Sequence, residues 1–69
     1  MAALEEIKNY GETIVVGGTE WSVSPSDMPT AFAWVSGADI KVEKVDDGDT
    51  YDYKLNNLSS GDSVRARKV

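Results

Sequence analysis

Four aspartates lie within seven positions of this chain, and carboxylates are the side chains that could bind a hard cation or work as an acid–base pair. The spacing Asp47-x-Asp49-x-x-Asp52 brings three carboxylates close together, but it lacks the glutamate and the glycine position of an EF-hand loop. Asp47-Gly48 instead fits the type I′ turn that joins two antiparallel strands. We therefore interpret Asp46, Asp47, Asp49 and Asp52 as the solvated tip of a β-hairpin and predict no metal site.

Basic residues collect at the other end of the sequence. Arg65, Arg67 and Lys68 fall within the last five positions, whereas all twelve acidic residues precede them. One interpretation places them on the exposed face of an edge strand, where charge discourages unwanted pairing. In the other, they dock against the acidic hairpin tip of a neighbouring copy or against another acidic partner. These three residues and the four aspartates are the predicted partner-binding residues.

The sequence contains few of the residue types that usually carry out catalysis. Cysteine and histidine are both absent, which removes thiol and imidazole catalysis, disulfides and the common zinc sites. The remaining carboxylates, serines, lysines and tyrosines show no spacing that singles out a reactive pair. A barrel of this size also has an interior filled by side chains, with little room for a substrate. We predict that the protein is not an enzyme and has no cofactor.

Aromatic residues suggest a different kind of surface. Bases stack on aromatic side chains that lie beside a basic groove, but no lysine or arginine interleaves with Phe32 and Trp34. We predict that the aromatic residues pack in the core, and an aromatic protein-binding surface is the alternative. The set consists of Trp21, Phe32, Trp34, Tyr51 and Tyr53.

Length and charge set the class of protein. Sixty-nine residues with 41% hydrophobic and 28% charged residues fit one globular domain, residues 1–69, whose small core gains from a partner or an oligomer. The net charge of −5 opposes direct binding to nucleic acid or to an anionic membrane. Glu5 and Glu6 lie where a signal peptide has basic and apolar residues, so we predict a soluble protein without a signal peptide. The sequence leaves the compartment open, with a virion and a host cytoplasm as the two alternatives.

The first third of the chain predicts a helix and a hairpin. Leu4 and Ile7 are three residues apart, which indicates a short amphipathic helix over residues 2–9. Gly17-Gly18 separates two apolar runs and predicts a tight turn, with Ile14 opposite Trp21. Asn57-Leu58-Ser59, much later, matches a glycosylation sequon that we interpret as a chance match.

The rest of the chain predicts further strands. Pro29 disfavours helical angles at the residue before it, and the apolar run of residues 30–35 indicates a central strand, with a short helix as the alternative. Residues 38–45 alternate, and a two-residue turn at Asp47-Gly48 would pair Val42 with Tyr53 and Ile40 with Leu55. A turn over residues 59–62 precedes a last strand over residues 63–69.

These patterns together predict an all-β protein: a small antiparallel meander or SH3-like barrel of about five to six short strands with a short N-terminal helix. The function that we expect is a non-enzymatic structural or assembly protein that acts through protein–protein contacts or self-assembly, such as a decoration, neck or tail component of a virion. The alternative is a small acidic inhibitor that mimics nucleic acid and blocks a basic site on a host nuclease, repressor or CRISPR effector.

Overall fold

Short alternating segments of apolar residues form the six strands seen in the computed structural model, which describes residues 2–69. A five-residue helix, α1 (Met28–Phe32), follows the third strand, and 3₁₀ turns lie at Asn9–Gly11 and Pro25–Asp27. The strands are β1 (Ala2–Lys8), β2 (Thr13–Val16), β3 (Thr19–Val23), β4 (Asp39–Lys44), β5 (Tyr53–Asn57) and β6 (Ser63–Lys68).

The strands close into a barrel with the order β1-β2-β3-β6-β5-β4, in which all neighbours are antiparallel. Two three-stranded meanders, β1–β3 and β4–β6, therefore meet along two seams. One seam pairs β3 with β6, and the other pairs β1 with β4 through Ala2↔Ile40 and Ala3↔Asp39. This architecture confirms the prediction of a small all-β barrel with a short helix.

Inward-facing side chains from all six strands fill the barrel, and α1 covers part of it. Each fully buried side chain of this kind contributes about 1.5–3 kcal/mol of hydrophobic free energy relative to exposure. Trp34, which follows α1, joins the core with its side chain 6% exposed. The largest fully buried side chains are those of Leu4, Ile14, Ile40, Leu55, Val23 and Val64.

The predicted N-terminal helix is wrong, because residues 2–8 form strand β1. The pairing with β2 shifts register between Leu4, opposite Val16, and Glu6, opposite Val15. This bulge inserts one extra residue into β1 and changes its alternation. Leu4 is buried and Ile7 packs against the core in spite of their helical spacing.

The predicted strand over residues 30–35 is also wrong, and the first residues of this run form the alternative, a short helix. Met28 has helical angles (φ −56°, ψ −45°) in spite of the proline that follows it. Pro29 lies in the first turn of α1, where its missing N–H removes no intrahelical hydrogen bond. The apolar run thus forms the end of a short helix and a turn.

The hairpin about Gly17-Gly18 is confirmed with its register, since Ile14 lies opposite Trp21. The register of the second hairpin is wrong by two residues: Val42 pairs with Leu55, and Lys44 pairs with Tyr53. The shift preserves which side chains face inward, because side chains alternate with a period of two. Its cause is a connection much longer than a two-residue turn.

Candidate functional site

The long connection between β4 and β5, residues 45–52, contains the four aspartates and is called the acidic loop below. The Val45 N–H donates to the Asp52 carbonyl at 2.8 Å and closes its base. The Asp49 N–H donates to Asp47 Oδ1 at 3.1 Å, and the Tyr51 N–H donates to Asp49 Oδ1 at 3.1 Å. Two of the four carboxylates therefore fold the loop on itself, as aspartates in turns commonly do.

Arg65 reaches the acidic loop from β6. Its Nη2 lies 3.0 Å from both carboxylate oxygens of Asp47 and 4.0 Å from Asp49 Oδ2. The same guanidinium donates to the Tyr51 carbonyl from Nε at 3.1 Å and from Nη2 at 2.9 Å. The structure thus joins Arg65, a residue of the basic segment formed by residues 65–68, to the acidic loop of the same chain.

The other predicted partner-binding residues take different positions. Lys44 binds Asp52 at 3.1 Å, and the Lys68 ammonium lies 5.8 Å from the ring centroids of both Trp21 and Tyr53. Asp46 and Arg67 are exposed and form no ion pair within residues 2–69.

The interpretation of the basic segment as an edge strand is wrong. β6 pairs with both β5 and β3, so the segment is an internal strand of the barrel. Its backbone is further anchored where the Arg65 N–H donates to Asp27 Oδ2 at 2.9 Å. The backbone of β6 pairs with β5 over residues 63–66 and with β3 over residues 66–68, and a partner reaches this segment through its outward side chains.

Two charged groups of the acidic loop and its base have shifted pKa values. Donation from the Asp49 N–H, and secondly the Arg65 guanidinium, lowers the pKa of the Asp47 carboxyl. The hydrogen bond and the charge of Asp52 raise the pKa of Lys44. Both shifts favour the charged forms, which is the opposite of what a general acid or base near neutral pH needs. Within the described part of the chain, no cluster of three or more carboxylates forms a metal site.

A second candidate region is an exposed pair of aromatic rings, Tyr10 and Phe32, called the aromatic surface below. Their side chains are 79% and 55% exposed, and the ring centroids are 5.7 Å apart. The prediction of core packing is therefore right for Trp21 and Trp34 and wrong for Phe32. α1 turns Phe32 outward, whereas the predicted strand would have placed it in the sheet.

The backbone beneath the aromatic surface is unusual. Asn9 (φ 51°) and Tyr10 (φ 59°) both have left-handed conformations, which are uncommon for residues other than glycine. Gly11 follows with φ 94°, and a Cβ at this position would lie 2.4 Å from the Met28 carbonyl and 2.9 Å from the Phe32 nitrogen. Only a glycine allows this turn to pack so closely on α1.

A third region is a cleft of about 230 Å³ at the end of the barrel that holds the β5–β6 connection. One wall is apolar and follows α1, and the other carries polar groups. The lining residues are Ala33, Trp34, Val35, Ala38, Asn57, Ser59, Ser60 and Asp62. No lysine or arginine lines the cleft, so its only formal charge is negative.

Asn57, the first residue of the chance glycosylation sequon, lines this cleft. Its side chain is 3% exposed, and its Oδ1 accepts hydrogen bonds from the Ser59 N–H at 2.9 Å and the Ser60 N–H at 3.0 Å. A signal was present in the sequence: Asn57 continues the inward alternation of Tyr53 and Leu55, where a polar residue needs a specific partner.

Comparisons with protein-family models, with curated proteins and with solved structures give no match for this chain. Among residues 2–69, no helix has the length and apolar character to cross a membrane.

Proposed function

We propose that this barrel is a non-enzymatic assembly protein that binds a second protein, in the first place another copy of itself, through the aromatic surface. The observation that carries the proposal is the pair of exposed rings, Tyr10 and Phe32, on a closed β-barrel. When a partner removes exposed aromatic side chains from water, the hydrophobic effect makes the free energy of binding more favourable. Tyrosine and phenylalanine are also enriched at protein–protein interfaces.

The backbone gives a second argument. A tyrosine in the left-handed region costs about 1 kcal/mol or more, and such conformations cluster at functional positions. Within residues 2–69 the ring of Tyr10 gains little packing in return, because it is 79% exposed. A bound partner would supply the contacts that the monomer lacks.

Rigidity is the third argument. The close approach of Gly11 to Met28 and Phe32 locks the turn that carries Tyr10 onto the helix that carries Phe32. Because the backbone that carries both rings is fixed, binding a partner orders only their side chains, which limits the loss of conformational entropy. A component of a virion, such as a decoration, neck or tail protein, is the more specific form of the proposal, since a small barrel gains stability on a larger lattice.

The alternative of a nucleic-acid mimic receives less support. Asp47 and Asp49 face Arg65, and Asp52 faces Lys44, so most of the negative charge of the acidic loop has a partner in the same chain. A mimic needs carboxylates that are free to meet the basic groove of its target. The described contacts leave Asp46 as the aspartate of the loop without an ion pair.

The test is light scattering after size exclusion, over a concentration series at low and high salt. We expect the wild-type protein to form a defined oligomer that persists at high salt, because an apolar contact is not screened. The double variant Tyr10→Asn, Phe32→Gln should remain monomeric. Asn tolerates the left-handed backbone and Gln is a good helix former, so both keep the local structure.

The matched control is Leu58→Gln, which replaces another exposed apolar side chain (49% exposed) away from the two rings. Circular dichroism and thermal unfolding verify that all variants fold. A wild-type protein that is monomeric at every concentration contradicts self-assembly, and an oligomer that the double variant forms equally well contradicts the role of the aromatic surface.

A further inference from the structure

Asn57 is a buried residue whose side-chain amide turns a hydrogen-bond donor, Nδ2, towards the cleft, and no acceptor within residues 2–69 binds it. Two backbone N–H groups bind Oδ1 of Asn57, which fixes the orientation of its amide. Nδ2 must then point the other way, and it has no hydrogen-bond partner within residues 2–69. A primary amide has two donor hydrogens, and buried donors in proteins are usually paired.

The unpaired donor opens on the cleft and is not sealed in the core. The two indole nitrogens, Trp21 Nε1 and Trp34 Nε1, are the fully buried side-chain atoms without a partner in this part of the chain, and Asn57 Nδ2 is not among them. Because Asn57 lines the cleft and is 97% buried, the remaining accessible surface of its amide faces the cleft. A ligand there needs an acceptor oxygen.

Charge selects among ligands that carry such an oxygen. The Asn57 N–H donates to the backbone carbonyl of Asp62 at 2.8 Å. The Asp62 carboxylate forms no ion pair within residues 2–69. A ligand carboxylate or phosphate would be repelled by Asp62 and by the net charge of −5. A cationic amine would be attracted.

Size and polarity complete the ligand's description. A cleft of about 230 Å³ is smaller than the roughly 300–1,000 Å³ of typical drug-sized sites, so it holds one small group. Ala33, Val35 and Ala38 offer an apolar wall for a short hydrocarbon group. The hydroxyls of Ser59 and Ser60 already accept backbone N–H groups, which leaves their own hydrogens free to donate.

We propose that this cleft binds an α-amine that carries a carbonyl oxygen and a short apolar side chain, the chemistry of the first residue of a polypeptide or of a small amino-acid amide. The ammonium group lies beside Asp62, the carbonyl oxygen accepts a hydrogen bond from Asn57 Nδ2, and the side chain packs on the apolar wall. Capture of an amino terminus is a recurring mode of peptide recognition. The site is independent of the aromatic surface.

The experiment is a titration of the ¹⁵N-labelled protein followed by NMR. The probes are L-leucinamide, the tripeptide Leu-Gly-Gly amide and N-acetyl-leucinamide, and the reporters are the side-chain resonances of Asn57 and Trp34. We expect saturable shifts of both reporters with L-leucinamide. N-acetylation removes the positive charge and should weaken binding about fivefold, the upper range for one exposed ion pair. Tighter binding of the tripeptide indicates a polypeptide ligand, and equal binding indicates a small molecule.

Variants test the two halves of the site. Asp62→Asn keeps the shape and should weaken L-leucinamide about fivefold, whereas the control Asp46→Asn makes the same charge change on the acidic loop and should leave binding unchanged. Ala33→Leu fills the cleft and should abolish binding. The proposal is overturned if L-leucinamide produces no saturable shift at Asn57 and Trp34, or if the wild type, Asp62→Asn and Ala33→Leu bind it equally. Loss of oligomers in the Tyr10→Asn, Phe32→Gln variant with intact amine binding would show that the two proposals stand separately.

Discussion

The barrel stabilises two of its connections in opposite ways. The turn at Asn9–Gly11 packs its backbone directly on α1. This contact is possible because Gly11 has no side chain. The acidic loop makes no such close backbone approach at its glycine, Gly48, and depends on carboxylates that bind N–H groups and Arg65. The first connection depends on shape and the second on charge, so they should respond to different perturbations.

The largest expected effect comes from adding one methyl group to the shape-dependent connection. Gly11→Ala combines a left-handed backbone (φ 94°) with a Cβ only 2.4 Å from the Met28 carbonyl. We expect a loss of about 3 kcal/mol in the free energy of unfolding, measured by urea denaturation. In a domain this small, such a loss removes much of the stability.

Gly48→Ala is the matched control, because Gly48 also has positive φ (81°) but nothing lies within 4 Å of its added Cβ. It should cost about 1 kcal/mol, the price of the backbone conformation alone. Equal losses in the two variants would show that close packing on α1 contributes nothing and would end the contrast between the connections.

An intermediate effect is expected when the acidic loop loses its cation. Arg65→Gln removes the guanidinium that binds the Tyr51 carbonyl and Asp47, and hydrogen bonds from a charged donor contribute about 1.5 kcal/mol at the lower end of their range, which suits this partly exposed contact. We expect faster hydrogen exchange at the Asp49 and Tyr51 amides, with the barrel strands unchanged. Arg67→Gln on the same strand should change neither exchange nor stability, and a similar effect of both variants would contradict the role of Arg65.

The smallest expected effect is a pH dependence at Asp47. The folded-state pKa of this carboxyl is lowered from 3.8, so its ionised form stabilises the fold above the unfolded-state pKa, and this contribution is lost as the pH falls through the lower folded value. Asp47→Asn keeps an acceptor for the Asp49 N–H but removes the charge. The stability difference between wild type and variant should be small and constant near neutral pH, should begin to fall near pH 3.8, and should vanish once the pH is below the lower folded-state pKa.

Salt gives a second measure of the same contact, because ions screen exposed charge pairs. The difference between wild type and Asp47→Asn should shrink at high salt, whereas the loss in Gly11→Ala should not. Intact mass should be checked for the variant, since an Asn-Gly pair can return to aspartate by deamidation. A difference that grows at acidic pH would contradict the assigned direction of the pKa shift.

The sequence predicts those parts of the fold that depend on neighbours in the chain. Gly17-Gly18 defines its hairpin and register because the turn and both strands are contiguous. The Asp47-Gly48 pair predicts the wrong register for the second hairpin, because contacts from Arg65, far along the chain, stabilise a connection longer than a two-residue turn. Leu4 and Ile7 show helical spacing because a bulge, which has no local signature here, changes the alternation of β1.

The candidate sites were less predictable than the fold. All seven predicted partner-binding residues are charged, and the pairing of Arg65 with Asp47 could not be foreseen without knowing that β6 lies beside β5. Exposure of Phe32 depends on α1, whose five residues are too few for a periodic signal. Asn57 is a candidate binding residue because it lines a cleft, and that cleft forms between segments that are distant in sequence.

The two seams of the barrel have a consequence for how quickly the chain reaches its native state. Ala2 must find Ile40, and Trp21 must find Lys68, before the barrel closes, whereas the pairs within each meander are local. Pairings between distant residues slow folding, and all-β domains with many of them fold in milliseconds to seconds. During synthesis β1 leaves the ribosome first, yet its partner β4 is made tens of residues later. The first meander therefore spends that interval with β1 and β3 unpaired at their outer edges, which is the period in which this protein is most exposed to aggregation.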